Sequence, residues 1–152
     1  MDKRYGVRPV RQCDIDRILE IETASFGKDA YDRNLFAEYT LKCGSLFLVA
    51  VRGNKVIAYS ITAAFANRTG KTAELVSVAV DPTHRSRGAA SALMDSTLRR
   101  LRRRGVTRLR LMVRVTNRRA LKFYQKYGFR RIRRVAGYYE DGTDGFALSK
   151  NL

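Results

Sequence analysis

The chain has no tryptophan, one histidine, two cysteines and two prolines among 152 residues, and each scarcity excludes a class of function. With only His84, Cys13 and Cys43 available, there is no Cys/His cluster of zinc-binding size, so no metal cofactor is expected. Two cysteines make no disulfide framework, and both read as small packing residues. No apolar run approaches the roughly 18 residues of a membrane span, which argues against membrane association. The opening Met1-Asp2-Lys3-Arg4-Tyr5-Gly6 has charges with no apolar segment behind them, so no secretory leader is expected and the cytoplasm is the default location.

Acids are scarce as well, 14 against 31 Lys and Arg, for a net charge of +17. Such a field favours anionic partners, from nucleotide phosphates to RNA, although an arginine-rich solvated surface would look the same. The imbalance is uneven. From Pro82 to Tyr139 the single acid is Asp95, whereas others gather between Asp14 and Glu38 and at Glu140, Asp141 and Asp144. One half of the chain suits an anion and the other could meet a cation.

What is present is an ordinary globular sequence, 45% hydrophobic, without repeats or linkers, read as one domain over 1–152. Tyr5 to Val10 reads as a strand. A helix capped by Cys13 or Asp14 follows, with Ile15, Ile18, Leu19 and Glu22 on one face, then a second from about Asp32 to Lys42, stopped by Gly44. Strands are expected at Ser45–Arg52 and Lys55–Ala66 around a Gly53-Asn54 hairpin, and at Ala73–Val80. Helices follow at Gly88–Arg104 and from Asn117 or Arg118 to Tyr127. They alternate with strands at Leu109–Val113, Phe129–Val135 and Gly145–Ser149. The order β-α-α-β-β-β-α-β-α-β-β predicts an α/β domain whose mixed, mostly antiparallel sheet of about seven strands is flanked by about four helices.

The most informative stretch runs from Glu74 to Met94. A buried strand, Leu75-Val76-Ser77-Val78-Ala79-Val80, ends at Asp81-Pro82, and a short loop then opens a helix of small residues. The first amides of such a helix lack intrahelical partners and carry its positive dipole end, which suits a pyrophosphate. Gly88 permits close approach, Ala89, Ala90 and Ser91 keep the first turn unobstructed, and Arg85 and Arg87 add reach to phosphate oxygens. Neither a P-loop nor a dinucleotide-binding glycine pattern is present.

Arg85-Ser86-Arg87-Gly88-Ala89-Ala90 matches the Gln/Arg-x-x-Gly-x-Gly/Ala motif, and here the chain resembles the GNAT superfamily of N-acetyltransferases. A second block, Leu109 to Phe129, resembles the family's strand followed by Asn-x-x-Ala-x-x-x-Tyr-x-x-x-Gly-Phe, supplied by Asn117, Ala120, Tyr124, Gly128 and Phe129. The resemblance spans essentially the whole chain. It implies acetyl-CoA as donor, with backbone groups of Val78, Ala79 and Val80 along the pantetheine arm. Amides from Ser86 to Ser91 would hold the pyrophosphate, and Asn117 would hydrogen-bond the pantetheine.

Acetyl transfer needs a neutral amine, a polarised thioester and a proton for the departing thiolate. The resemblance implies Tyr124 as that acid, while Phe123, Tyr127 and Phe129 read as core. Overall the chain is most similar to the RimI/Ard1-like protein N-terminal acetyltransferases, through Ile21-Glu22-Thr23-Ala24-Ser25-Phe26 and the segment from Tyr138 to Leu148. RimI-like members carry a catalytic glutamate where this chain has Met112, and a thioether accepts no proton. Glu74 is the favoured substitute, on a strand like that of the superfamily's histone acetyltransferases, where partial burial would favour base work. Glu22 is the runner-up, and an α-amino group with pKa near ~8 can dispense with a base altogether. Tyr31, Tyr138 and Tyr139 are candidates for the acceptor groove.

The acceptor implied is the α-amino group of a protein N-terminus. A lysine side chain or small amine is the alternative, and a non-enzymatic nucleic-acid or ribosome-binding module, contacting through Arg99 to Arg104, the further one. The acids from Asp14 to Glu38 and from Glu140 to Asp144 are expected to offset repulsion of cationic peptides.

Overall fold

The computed structural model describes residues 5–152, so the charges at positions 1–4 lie outside the described residues. Local chemistry explains most element ends. Asp32 accepts from the Leu35 amide at 2.9 Å and starts α2, Arg33–Cys43, which stops at Gly44. Before it, α1 spans Ile15–Phe26 and buries Ile15, Ile18, Ile21 and Glu22 along one face. The later helices are α3, Ala89–Arg103, and α4, Arg118–Lys126. No helix among the described residues is long and apolar enough to cross a membrane.

The strands are β1 (Gly6–Pro9), β2 (Phe47–Arg52), β3 (Lys55–Asn67), β4 (Gly70–Val80), β5 (Val106–Arg114), β6 (Arg130–Val135) and β7 (Gly145–Asn151). Their order in the sheet is β1-β2-β3-β4-β5-β7-β6. The β4–β5 pairing is parallel, and those of β1 with β2, β2 with β3, β5 with β7 and β6 with β7 are antiparallel. This is the expected mixed α/β fold, with seven strands and four α-helices among the described residues.

Three strands run two or more residues beyond the sequence reading. β4 begins at Gly70 rather than Ala73, and β5 at Val106 rather than Leu109, because Lys71 pairs with Val106 and Thr72 with Arg108. β7 runs on to Asn151, opposite Arg108. Polar residues with no strand pattern of their own are recruited by a neighbour's unpaired backbone. Conversely, β2 starts at Phe47 because Gly44–Leu46 form a 3-10 turn.

The chain divides into two compact units. The first comprises the chain up to Ala63 with Leu75–Arg104; the second comprises Ala64–Glu74 with Gly105–Leu152. In the first, one apolar cluster joins Ile18, Ile21, Phe36, Phe47, Tyr59 and Ile61, and another joins Leu48, Ile57, Ala58, Ala92 and Leu93. In the second, Leu109, Leu111, Val113, Phe146 and Leu148 are buried together with Tyr124 and Phe129.

Candidate active site

In the first unit β4 delivers its C-terminal end to the loop before α3. Ala79 belongs to one apolar cluster, while Val78 and Val80 pack against the other, so both faces of this strand end are anchored. Asp81 then holds the turn. Its amide donates to Ile57 O at 2.8 Å, and its carboxylate accepts from the Thr83 amide and hydroxyl, each at 2.9 Å, and from Arg17. Burial opposes ionisation of Asp81, but the Thr83 donors and the Arg17 guanidinium together bring its pKa down to about 2. Pro82 occupies the first position of the 3-10 turn that follows, where its missing N–H costs nothing.

Beyond that turn the backbone is left-handed at Ser86 (φ 63°) and at Gly88 (φ 95°). Left-handed residues among right-handed ones turn successive N–H groups to one side and form an anion-binding concavity. The first helical bond of α3 is donated by Ala92 to Gly88 O (3.0 Å), which leaves the amides of Ala89 and Ala90 outside the ladder. Arg85 and Arg87 are exposed, and Arg85 reaches Ser25 Oγ at 3.5 Å. This loop fits a polyphosphate.

Glu22 occupies a different kind of place. It is 1% exposed, accepts from the Tyr31 amide at 2.8 Å, and receives the Tyr59 hydroxyl hydrogen. Burial raises its pKa, against the pull of those two donors. Tyr59 in turn lies 3.4 Å from Ser77 Oγ on β4. Tyr31 is half-buried and packs edge-on to Phe36, centroids 6.0 Å apart. Glu22 thus anchors the start of the segment before α2.

In the second unit Tyr124 is more buried, at 6% exposed, than Phe123 and Tyr127, which the sequence reading placed in the core and which are only half-buried. Tyr124 is the buried residue of α4, and its ring packs against Phe129, centroids 5.4 Å apart. Burial first, and Tyr139 second, push the phenol's pKa well up, so it stays protonated and able to donate. Asn117 caps α4 by accepting from the Ala120 amide at 3.2 Å, which leaves its own NH2 group as a donor. Tyr139 stacks beneath Arg114, whose guanidinium carbon is 4.1 Å from the ring centre, and Tyr138 is 49% exposed.

Glu74 is exposed, and the partial burial expected of it is absent, because on β4 it faces the opposite side of the sheet from its buried neighbours Ala73 and Leu75. It lines a cleft of about 290 Å³ with Arg108, Arg110, Met112, Arg133 and Ser149. Of the acids expected to greet a cationic peptide, Asp141 and Asp144 are already matched. Asp141 accepts twice from Arg114, at 2.9 Å each, and Asp144 from Arg134 at 2.8 Å and the Gly137 amide at 2.9 Å.

The structure therefore groups Val78 to Ser91 in one unit with Glu22 and Tyr31. Glu74, Asn117, Tyr124, Tyr138 and Tyr139 belong to the other. Sequence reading missed Arg17, Tyr59 and Asp81. The Asp-Pro pair is a turn signal that points to Asp81; nothing local marks Arg17 or Tyr59, whose partners are distant in the chain.

Residues 15–129 match the acetyltransferase (GNAT) family. The chain belongs to that family. It is an acetyl-CoA-dependent N-acetyltransferase. Among relatives of this GNAT enzyme, an N-alpha-acetyltransferase of Saccharolobus solfataricus is 28% identical, over 97% of this chain and 93% of its own length. The [ribosomal protein bS18]-alanine N-acetyltransferase of Haemophilus ducreyi is 29% identical over 88% of each chain. In structure, Ard1 from Thermoplasma volcanium superposes with a TM-score of 0.91 at 26% identity, covering 98% of both chains.

Proposed function

We propose that this GNAT enzyme, acting as one catalytic domain over 1–152, acetylates the α-amino group of protein N-termini. The observation that carries the donor half is the loop from Arg85 to Ser91, with left-handed Ser86 and Gly88 leading into the amides of Ala89 and Ala90. Full-length similarity to N-alpha-acetyltransferases supports the acceptor half. Acetyl-CoA supplies the acyl group, activated as a thioester.

In this reading the amides of Ser86 to Ser91 hold the pyrophosphate, Arg85 and Arg87 neutralise it, and backbone groups of Val78, Ala79 and Val80 align the pantetheine. Asn117 donates to the pantetheine through the NH2 group left over from its capping bond. Tyr124, kept protonated by burial, donates to the departing thiolate. Glu74 takes the ammonium proton through a water. Its rival Glu22 already accepts from Tyr59 and the Tyr31 amide and is sealed from solvent. Glu22 therefore serves the acceptor side by holding Tyr31, with Tyr138 and Tyr139 as peptide contacts. The charge of +17 supports, as part of the same proposal, work in the cytoplasm beside the ribosome.

The test is a panel of peptides with free N-termini, the same peptides with blocked N-termini and one free lysine, and a polyamine, each with acetyl-CoA. Turnover confined to free N-termini is expected. Turnover only of lysine or polyamine overturns the α-amino reading; RNA binding by a protein that neither binds nor turns over acetyl-CoA overturns the enzymatic one.

A further inference from the structure

Strand register in the second unit arranges a charged face that the family motifs do not explain. Glu74 pairs with Arg110, Arg110 with Ser149, and Ser149 with Arg130, so these four side chains form one row on one face of four strands. On the same face, Met112, Ala147 and Arg133 form the row to one side of it, and Arg108 with Asn151 the row to the other. The register shift between Arg131 and Arg133 decides this arrangement, because it inserts Ile132 and brings Arg133 onto the Glu74 face. Arg131 and Arg134 go to the opposite face, their guanidinium carbons 3.7 and 5.8 Å from the centre of the Phe146 ring.

The result is the cleft of about 290 Å³, in which Arg108, Arg110 and Arg133 surround the single carboxylate of Glu74. Residues two apart on a strand are separated by roughly 6.7 Å and neighbouring strands by about 4.8 Å, so one carboxylate can be reached by two of these guanidinium groups. A lysine or arginine side chain on this face meets like charge.

We propose that this cleft selects the acceptor: its substrates are N-termini followed closely by acidic side chains, with Arg108, Arg110 and Arg133 as the specificity-determining residues. The inference rests on Glu74 serving as proton acceptor in the α-amino reading above, since an amine that reaches Glu74 brings its next residues onto this face. Specificity then comes from both attraction of acids and repulsion of bases.

The full chain is assayed with acetyl-CoA and peptides identical except at residues two to four, which are Asp/Glu, Asn/Gln or Lys. The expected result is a kcat/KM ratio, acidic over basic, of at least about tenfold, shrinking as salt rises. In Arg110→Glu with Arg133→Glu the ratio collapses or inverts. Arg110→Gln and Arg133→Gln, singly, lower it, and they remain informative if the double variant fails to fold. Because the ratio is taken within each variant, overall losses of activity cancel. A wild-type ratio near one, a preference for Lys, or a ratio unmoved in the variants overturns the inference while leaving N-terminal acetylation intact. Acetyl-CoA binding with no turnover of any free N-terminus overturns the α-amino reading itself. In that case, binding of the acidic peptides with blocked N-termini, lost in Arg110→Gln, still reports whether the cleft takes acids.

Discussion

Tyr59 gives its phenolic hydrogen to Glu22, so a carboxylate 1% exposed is held between a fully buried ring and the Tyr31 amide. Removing the acceptor breaks two hydrogen bonds to a carboxylate, each worth about 1–3 kcal/mol. Glu22→Ala is therefore expected to lose about 2–5 kcal/mol in chemical denaturation. Glu22→Gln tests the charge. Burial raises the folded-state pKa of Glu22, so its contribution is fully present below the ordinary glutamate pKa and is lost as pH rises through the raised value. The penalty of Glu22→Gln should accordingly be larger at pH 4 than at pH 7; an unchanged penalty would show that the carboxylate's burial costs nothing.

Asp81 shows the opposite sign. Its folded pKa of about 2 lies below the ordinary aspartate value of 3.8, so its stabilisation is present above pH 4 and is lost as pH falls toward 2. Asp81→Asn should cost about 1–2 kcal/mol at pH 7 and almost nothing near pH 2. Because Asp81 anchors the turn into the α3 loop, the same variant should weaken acetyl-CoA binding, read by calorimetry.

Gly88 carries a φ of 95°, where a Cβ is strained. Gly88→Ala is expected to destabilise by about 1 kcal/mol and to raise the acetyl-CoA Kd about tenfold or more, since the shift reaches the amides of Ala89 and Ala90. Ser86→Gly relieves strain at φ 63° and should leave stability equal or slightly improved. Thermal melts with and without acetyl-CoA separate the two effects.

Tyr124→Phe removes the buried phenol and keeps the ring that packs on Phe129. A fall in kcat of about 100-fold or more with little change in acetyl-CoA affinity is expected of a lost general acid. Equal kcat in the two proteins would reduce Tyr124 to packing.

Met112 and Glu74 line the same cleft, which allows a rescue experiment. Glu74→Gln should lower kcat/KM most at low pH, where the acceptor ammonium is most populated. Adding Met112→Glu to that variant should restore part of the loss. Failure of the second carboxylate to rescue would point to acceptors that arrive already neutral, in line with an α-amino pKa near ~8.

Much of this protein was determined by local sequence. Gly53-Asn54 set a hairpin, Asp32 and Gly44 bounded α2, and Gly88 marked the left-handed entry to α3, because caps, turns and left-handed positions depend on neighbours a few residues away. Those features carried the family and the donor. Tertiary structure alone decided the rest. It sealed Glu22 behind Tyr59, 37 residues along the chain, and tied Arg17 to Asp81. It left Glu74 in the open and, through one extra residue in β6, turned Arg133 onto its face. Burial and facing follow from which strands pair and in what register, and those pairings join residues whose separation in sequence leaves no local pattern to read.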